Sequence, residues 1–268
     1  MNSRTNVPVN VLVCVKRVPD VGSEVLLTED GQSVDARHVG FTTSAHDQAA
    51  VELAVQVAAA TEGSARVLTV GSPDATEQLR SALGVGCTAA TLVEAEPTTL
   101  GPADVATEIA AVVREHEAAD AAYDVVLLGN DAADSGDYQV PIRLADALGR
   151  PVITGMQTVE LREAPEGGRV AHCTGAGPLG TETYEVPLPA VISVMEGGVE
   201  PRYPTITGRM KAKKVEIETR EPAFPAIGSG RVTLTVPQTM SSSSELLGEG
   251  PEAAVAVVDL FEKLGVSR

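Results

Sequence analysis

ARVLTVGSPDATEQLRSALGVGCTAATLVEA, Ala65 to Ala95, decides the fold. It opens on ARVLTVG, an apolar run of strand length. Ser72 then stands as a helix N-cap, with Pro73 at the first helical position, where its missing N–H costs nothing. A helical stretch follows, and Gly84 is expected to end it. AATLVEA reads as a second strand. Strand, helix and strand in this order form a βαβ unit, and parallel strands joined that way build a sheet covered on both faces.

The same rhythm extends outward. VNVLVCV (Val9–Val15) is a continuous apolar run, as expected of a parallel strand buried on both sides. VLLTEDGQSVD carries Asp30-Gly31, a hairpin turn signal. SAHDQAAVELAVQVAAATEG reads as a helix capped by Ser44 or Asp47, running to about Ala60 and stopped by Gly63. After Ala95, PADVATEIAAVVREHEA reads as a helix and YDVVLLGN as a strand. DYQVPIRLADALG reads as a shorter helix interrupted early by Pro141, and PVITGMQTVEL as a further strand. Beyond Leu161, GRVAHCTG, TETYEVPL and AVISVM are strand-like with no helix between them, which suggests antiparallel additions. EPAFPAIGSG and QTMSSSSELLGEGP are linker-like, and PEAAVAVVDLFEKLG is a last amphipathic helix. The expected fold class is therefore α/β: a doubly wound, mostly parallel sheet with helices on both faces, added antiparallel strands and a C-terminal arm. Residues 1–220 are expected to form the α/β domain and 221–268 the arm.

Composition narrows the function. The chain of 268 residues has a formal net charge of −17, which disfavours nucleic acid, since a phosphate backbone is bound mainly by Lys and Arg. Hydrophobic residues make up 43 % and aromatics 3 %, so Val, Leu, Ile and Ala must build the core. No apolar run reaches the ~18 residues of a membrane span, and the polar N-terminus does not read as a secretory signal. Cys14, Cys87 and Cys173 are odd in number and lack C-x-x-C spacing, so no disulfide framework is expected and a cytoplasmic setting is.

Motifs of bond chemistry are scarce. GAGPLG (Gly175–Gly180) matches G-x-G-x-x-G in letters, but strand-like TETYEV follows it and Pro178 restricts it, so it reads as a turn between strands rather than a dinucleotide loop. There is no Walker sequence and no nucleophile elbow. His38, His46, His116 and His172 have no metal-ligand spacing. Cys14 and Cys87 read as small core residues. No acid–base pair stands out, which favours binding or electron carriage over acid–base catalysis.

Two segments remain. In VVLLGNDAADSGDYQVP, a buried strand stops at Gly129 and a small, polar loop leads to a helix near Tyr138. Open α/β sheets place ligands at such carboxyl ends of strands. Backbone N–H groups there can take a phosphate or a ribose, Gly129 and Gly136 allow close approach, and Asp134 or Asp137 can accept from ribose hydroxyls. An ordinary polar loop with an Asx-type cap reads equally well. In PRYPTITGRMKAKK (Pro201–Lys214), Arg202, Arg209, Lys211, Lys213 and Lys214 surround Tyr203, Ile206 and Met210. A solvated basic face is the ordinary reading. The apolar residues within it give it the anatomy of a transient docking patch, where charge steers and an apolar anchor grips.

The chain resembles the β subunit of electron transfer flavoproteins, the FixA-type family, over nearly its whole length. VLVCVKRVPD is similar to that family's first strand and its V-K-x-V-P-D continuation, AAVELAVQV to its A-V-E-x-A helix, LRSALGVGCTAATLV to its helix–Gly–strand segment, and DVVLLGNDAAD…Q to its nucleotide loop. The longest match is LPAVISVMEGGVEPRYPTITGRMKAKKVEI, against L-P-A-V, P-R-Y and M-K-A-K-K. The resemblance implies a heterodimer with an α subunit, an FAD shared between them and held mostly by α, and an AMP bound structurally in β. It implies electron carriage from flavin dehydrogenases to a quinone reductase or other acceptor, with no bond chemistry by the chain alone and no catalytic or metal-binding residue.

Carried onto this sequence, the implied AMP positions are Cys14, Ser44, Ala45, His46, Asp47, Val70, Gly129, Asn130, Asp134, Ser135, Gly136, Asp137, Tyr138, Gln139 and Val140. The implied docking positions are Arg202, Tyr203, Ile206, Met210, Lys211 and Lys214, with Ile206 at the family's anchoring leucine. The C-terminal arm is expected to pack on the α subunit. Ser44 stands where Asn is frequent. Tyr138-Gln139-Val140-Pro141 replaces N-Q-T-G or similar, and Pro141 has no N–H to offer a phosphate. In electron-bifurcating relatives the same site holds a second FAD, which is the alternative here. A stand-alone adenine-nucleotide binder of the universal-stress kind needs a late glycine-rich phosphate loop, and a nucleotide-α-hydrolase pyrophosphatase needs S-G-G-x-D-S after the first strand. CVKRVPD stands there instead.

Overall fold

In the computed structural model, the described residues are 8–20, 26–37, 39–164, 167–230, 233–236 and 246–266. His38 and much of the QTMSSSSELL stretch lie outside them. The chain forms two compact units, Met1–Leu234 and Thr235–Arg268.

The first unit is built on strands β1 (Asn10–Cys14), β2 (Arg17–Pro19) and β3 (Phe41–Thr43), helix α1 (Ala45–Ala60), β4 (Ser64–Gly71), α2 (Thr76–Val85), β5 (Ala89–Glu94), α3 (Pro102–Ala118), β6 (Val125–Gly129), α4 (Val140–Leu148), β7 (Val152–Met156), β8 (Thr158–Glu163), β9 (Arg169–Gly177), β10 (Gly180–Pro187), β11 (Ala190–Val194), α5 (Ile206–Ala212) and β12 (Ile217–Arg220). Seven strands form the main sheet in the order β12-β5-β4-β1-β6-β11-β7, and every pairing in it is parallel. β8, β9 and β10 make an antiparallel sheet, and β2 pairs antiparallel with β3. The α/β, doubly wound expectation holds, with the added antiparallel strands.

Each central strand feeds two cores because its side chains alternate between faces. Val11 and Val13 of β1 pack with α1 and α2, through Ala49, Leu53 and Leu79. Leu12 and Cys14 pack on the opposite face with Ile109, Val113 and Leu144 of α3 and α4. β6 divides the same way, Leu127 to the first core and Leu128 to the second. Strands buried on both faces show no polar alternation, which explains the continuous apolar runs. The helices following β1 and β4 cover one face and those following β5 and β6 the other, so the winding reverses beside β1. Doubly wound sheets open their ligand crevice at such a reversal.

Several local expectations are corrected. Gly84 does not end α2, which continues to Val85 and closes on Gly86 at φ 150°. A Cβ on Gly84 would lie 2.9 Å from Pro204 Cβ, so this glycine admits the neighbouring Pro201–Lys214 segment. Ser72 precedes a short 3-10 turn, Pro73–Ala75, and makes no side-chain cap bond. Pro141 sits in the first turn of α4 rather than interrupting it. PVITGMQTVEL divides at Gln157, β7 ending the parallel sheet and β8 opening the antiparallel one. AVISVM is not an antiparallel addition, because β11 runs parallel between β6 and β7. Asp30-Gly31 turns the chain, Gly31 having φ 64°, but the described residues show only the isolated bridge Leu27–Val34. GAGPLG is the turn joining β9 to β10.

The first unit includes the stretch after β12. Ala223 and Phe224 N–H groups donate to Glu108 at 2.8 and 2.9 Å. Ile227 and Gly228 N–H groups donate to Asp104, both at 2.8 Å. Burial pushes the Asp104 carboxyl up, yet these donors and Gly101 N–H outweigh it and hold it below the usual carboxylate range. The second unit contains a 3-10 turn, Gly250–Glu252, and helix α6 (Ala253–Leu264), closed by Gly265 at φ 70°. Val255, Val258 and Phe261 on α6 are exposed. Among the described residues, no helix is long and apolar enough to cross a membrane.

Candidate functional site at the carboxyl ends of the strands

The site starts from the end of β1. Pairing places Cys14 beside Leu68 of β4 and Leu128 of β6. Two residues beyond the strand, Lys16 N–H donates to Asp47 Oδ2 at 2.9 Å. Gly129 N–H, at the end of β6, donates to Asp47 Oδ1 at 3.1 Å. A single carboxylate thus ties two neighbouring strand ends to the start of α1. Ser44 is the N-cap, and its hydroxyl accepts from Asp47 N–H at 3.1 Å. Of the two capping candidates, Ser44 caps the helix and Asp47 is the tie.

Gly129 is required by this packing. A Cβ there would fall 2.3 Å from Asp47 Oδ1 and 3.1 Å from His46 Cβ. Asp47 is buried, and that burial raises its carboxyl to about 6 against the lowering effect of Lys16 and Gly129 N–H, Ser44 and His46. Burial, and then the Asp47 charge, push the Cys14 thiol far up. Cys87 is pushed up to about 12 and Cys173 to about 11, both by burial. All three cysteines are free and buried, which gives them the core character expected of Cys14 and Cys87.

The loop after β6 follows. Asn130 N–H donates to Val194 O of β11 at 2.9 Å. Its side-chain Oδ1 accepts from Ser193 Oγ at 2.8 Å. Asp131 and Glu196 both lie against His46, the first 2.6 Å from Nδ1 and the second beside Nε2. Asp134 Oδ1 pairs with Lys16 Nζ at 2.7 Å. Ser135 and Gly136 N–H groups turn back onto Ala132 O at 3.2 and 2.8 Å. Gly136 and Tyr138 have φ of 57° and 55°, and Tyr138 is exposed. Gln139 Oε1 accepts from Arg143 Nε at 3.0 Å as α4 begins at Val140.

Direct bonds therefore join Ser44, Asp47 and Gly129 at one edge, Asp134 reaches it through Lys16, and Asn130 bonds to Ser193 and Val194 of β11. His46 lies within that edge, with Cys14 under it and Val70 near the end of β4. Ser135 to Val140 form the outer part of the loop. Sequence reading passed over Lys16, Asp131, Ser193 and Glu196. Lys16 stood in the quoted V-K-x-V-P-D stretch; Glu196 had no local signal, because only the β6–β11 pairing brings it near. Among the described residues, no group of three or more His, Cys, Asp or Glu is placed to hold a metal.

The basic segment is partly committed. Arg202 Nε donates to Glu52 Oε2 at 2.8 Å, and its backbone N–H to the same oxygen at 3.3 Å. Glu52 is buried on α1. Burial pushes its carboxyl up, but Arg202 and Gln56 outweigh that and leave it below the usual range. Thr205 caps α5 by accepting from Gly208 N–H at 3.0 Å. Arg80 of α2 donates to the carbonyls of Ala212 and Val215. Tyr203, Ile206 and Met210 stand out at 83 %, 82 % and 62 % exposure, with Lys211 and Lys214 exposed beside them.

A model of the electron transfer flavoprotein domain matches residues 33–225. The chain belongs to the electron transfer flavoprotein family. Among its relatives, electron transfer flavoprotein subunit beta of Syntrophomonas wolfei is 37 % identical over 213 residues, 78 % of each chain. The protein of the same name from Mycobacterium bovis is 33 % identical over 252 residues, 91 % of this chain and 89 % of its own. That of Bacillus subtilis is 30 % identical over 261 residues, 94 % and 97 %. The matched region of this electron transfer flavoprotein family member includes α1, the β6 loop and α5, while Cys14 and Lys16 at the end of β1 precede it.

Proposed function

We propose that this chain is the β subunit of a heterodimeric electron transfer flavoprotein. In this reading it shares an FAD with an α subunit and carries electrons from flavin dehydrogenases without bond chemistry of its own. An AMP occupies the carboxyl edge of the sheet as a structural ligand. The observation that carries the reading is the Gly129–Val140 loop, folded over the ends of β1 and β6 against the start of α1 in a chain of this family.

The residues there suit a nucleotide. Ala132, Ala133 and Gly136 leave room for close approach. Lys16 supplies a cation, Asp134 and Asp137 supply acceptors, and the start of α4 supplies a favourable dipole. Pro141 removes one N–H from that first turn, so phosphate contacts fall to the loop backbone and Lys16. The docking role belongs to Ile206 and Met210 one helical turn apart, with Tyr203, Lys211 and Lys214 around them. Arg202 acts from beneath, by fixing the segment to Glu52. The exposed apolar residues of α6 suit the packing of the C-terminal arm on the α subunit.

The test is co-expression with the α subunit, purification, and chromatography of the extracted nucleotides. A yellow pair releasing FAD and AMP in equal amounts is expected. FAD alone, at twice that content, would establish the electron-bifurcating alternative. A colourless homodimer binding ATP would overturn the reading.

A further inference from the structure

Among the described residues, three that are not glycine have φ in the left-handed region: Glu62, Asp120 and Tyr138, at 55°, 56° and 55°. Two of them have a local reason. Glu62 N–H bonds back to Ala59 O just after α1, and Asp120 N–H to Glu117 O just after α3. Helix ends commonly take this conformation. Tyr138 stands before α4 instead. For a bulky side chain the left-handed region is an outlier, and no hydrogen bond of Tyr138, backbone or side chain, offsets it among the described residues. Burial does not offset it either, since Tyr138 is 56 % exposed. The chain has four Tyr, three Phe and no Trp, so its aromatic surface is scarce, and one ring of it stands in water. Backbone strain with no internal reason collects at ligand sites.

The surroundings of the ring suit one kind of ligand. A Cβ on Gly136 would come within 3.9 Å of Tyr138 Cε2, so the ring stands over the loop's own glycine. Ring and bare backbone together make an uncharged patch on the loop that also carries Asp134. We infer that Tyr138 is the base platform of the candidate site: its ring stacks on the planar heteroaromatic base of the bound nucleotide, adenine in the AMP reading. The inference rests on that reading and adds the residue that selects the base. A phenol face attracts any flat heteroaromatic ring and needs no hydroxyl to do so. The phosphate end falls to other groups, so base recognition and phosphate recognition are separable.

Equilibrium dialysis tests this on the full-length protein, in the complex in which it purifies, after dialysis against charcoal removes its nucleotide. The probes are AMP and ribose 5-phosphate, which keeps the sugar and phosphate but has no base. Tyr138→Ala should raise the AMP dissociation constant about tenfold, the scale of one base–aromatic stack, and leave ribose 5-phosphate binding unchanged. Tyr138→Phe should bind AMP like the wild type. Asparagine takes the left-handed region more readily than tyrosine. Tyr138→Asn should therefore melt no lower than the wild type yet bind AMP as weakly as the alanine variant. A residue kept only for the shape of the loop would lose stability and both probes together. The platform is overturned if Tyr138→Ala binds AMP like the wild type, if it loses both probes equally, or if Tyr138→Phe is as weak as Tyr138→Ala. Unchanged AMP binding with a weaker hold on the α subunit would assign the ring to the subunit interface and also overturn it. A wild type that binds neither AMP nor ribose 5-phosphate would defeat the nucleotide reading itself, and the platform with it.

Discussion

At the scale of single residues, the site depends on close approach and on one buried charge. Gly129 is where the start of α1 meets β6, and a methyl group would overlap Asp47 Oδ1. Gly129→Ala is expected to destabilise by about 1–3 kcal/mol, the range for forcing extra carbon into a packed site; a urea midpoint equal to that of the wild type would refute this. Asp47 makes a prediction in pH. Its folded carboxyl is raised to about 6 from 3.8, so the native state holds that proton more tightly than the unfolded chain. Between those values the native state binds more protons, and stability falls as pH rises through the window, levelling off above it. The size is on the order of 3 kcal/mol, since each pKa unit is worth about 1.4 kcal/mol. Asp47→Asn removes the titration but leaves an amide facing a backbone donor. It should be less stable than the wild type at pH 5, with the gap narrowing by pH 7. A constant gap in denaturant titrations would show that Asp47 does not titrate there.

At the scale of elements, legibility followed burial. β1 and β6 were readable because both their faces are covered, so every position had to be apolar. β11 has the same continuous pattern, AVISV, and is buried throughout. It was misplaced because the chain reaches it through the β8–β10 hairpins rather than through a helix, so the helix-between-strands rule had nothing to detect. Gly84 looked like a helix end because glycine usually is one; its actual role, admitting Pro204, depends on a segment far along the chain. The tie from Asp47 to Lys16 and Gly129 was invisible for the same reason, although Asp47 and Gly129 were both singled out. The segment around α5 shows how fixing and docking separate. Arg202 is held by a buried glutamate, while Ile206 touches little. Arg202→Ala strands the Glu52 charge, which should cost about 1–3 kcal/mol and loosen residues 201–210. Ile206→Ala should leave stability within about 0.5 kcal/mol and slow only reduction by a partner dehydrogenase. Thermal melts and stopped-flow flavin reduction on both variants separate the roles; an Ile206→Ala protein that melts early, or transfers electrons at the wild-type rate, contradicts the assignment.

At the scale of the whole molecule, the two core clusters and the candidate site all belong to the first unit. Both clusters draw on residues from Val9 to Ala212, and Asp104 and Glu108 extend that unit past β12 by binding the backbone of Ala223–Gly228. Stability of a domain comes from buried apolar surface, and α6 of the second unit has no buried residue. On α6, Val255, Val258 and Phe261 are exposed, the kind of apolar surface that marks an interaction site. A chain ended after Leu234 should keep a single cooperative thermal transition, within a few degrees of the full-length protein. In the heterodimer proposed here, the same truncation should weaken association with the α subunit and lower FAD content after co-purification. Loss of the cooperative transition would place part of the folding energy in the arm. An unchanged yield of flavin-loaded pair would show that the arm is not what the α subunit holds.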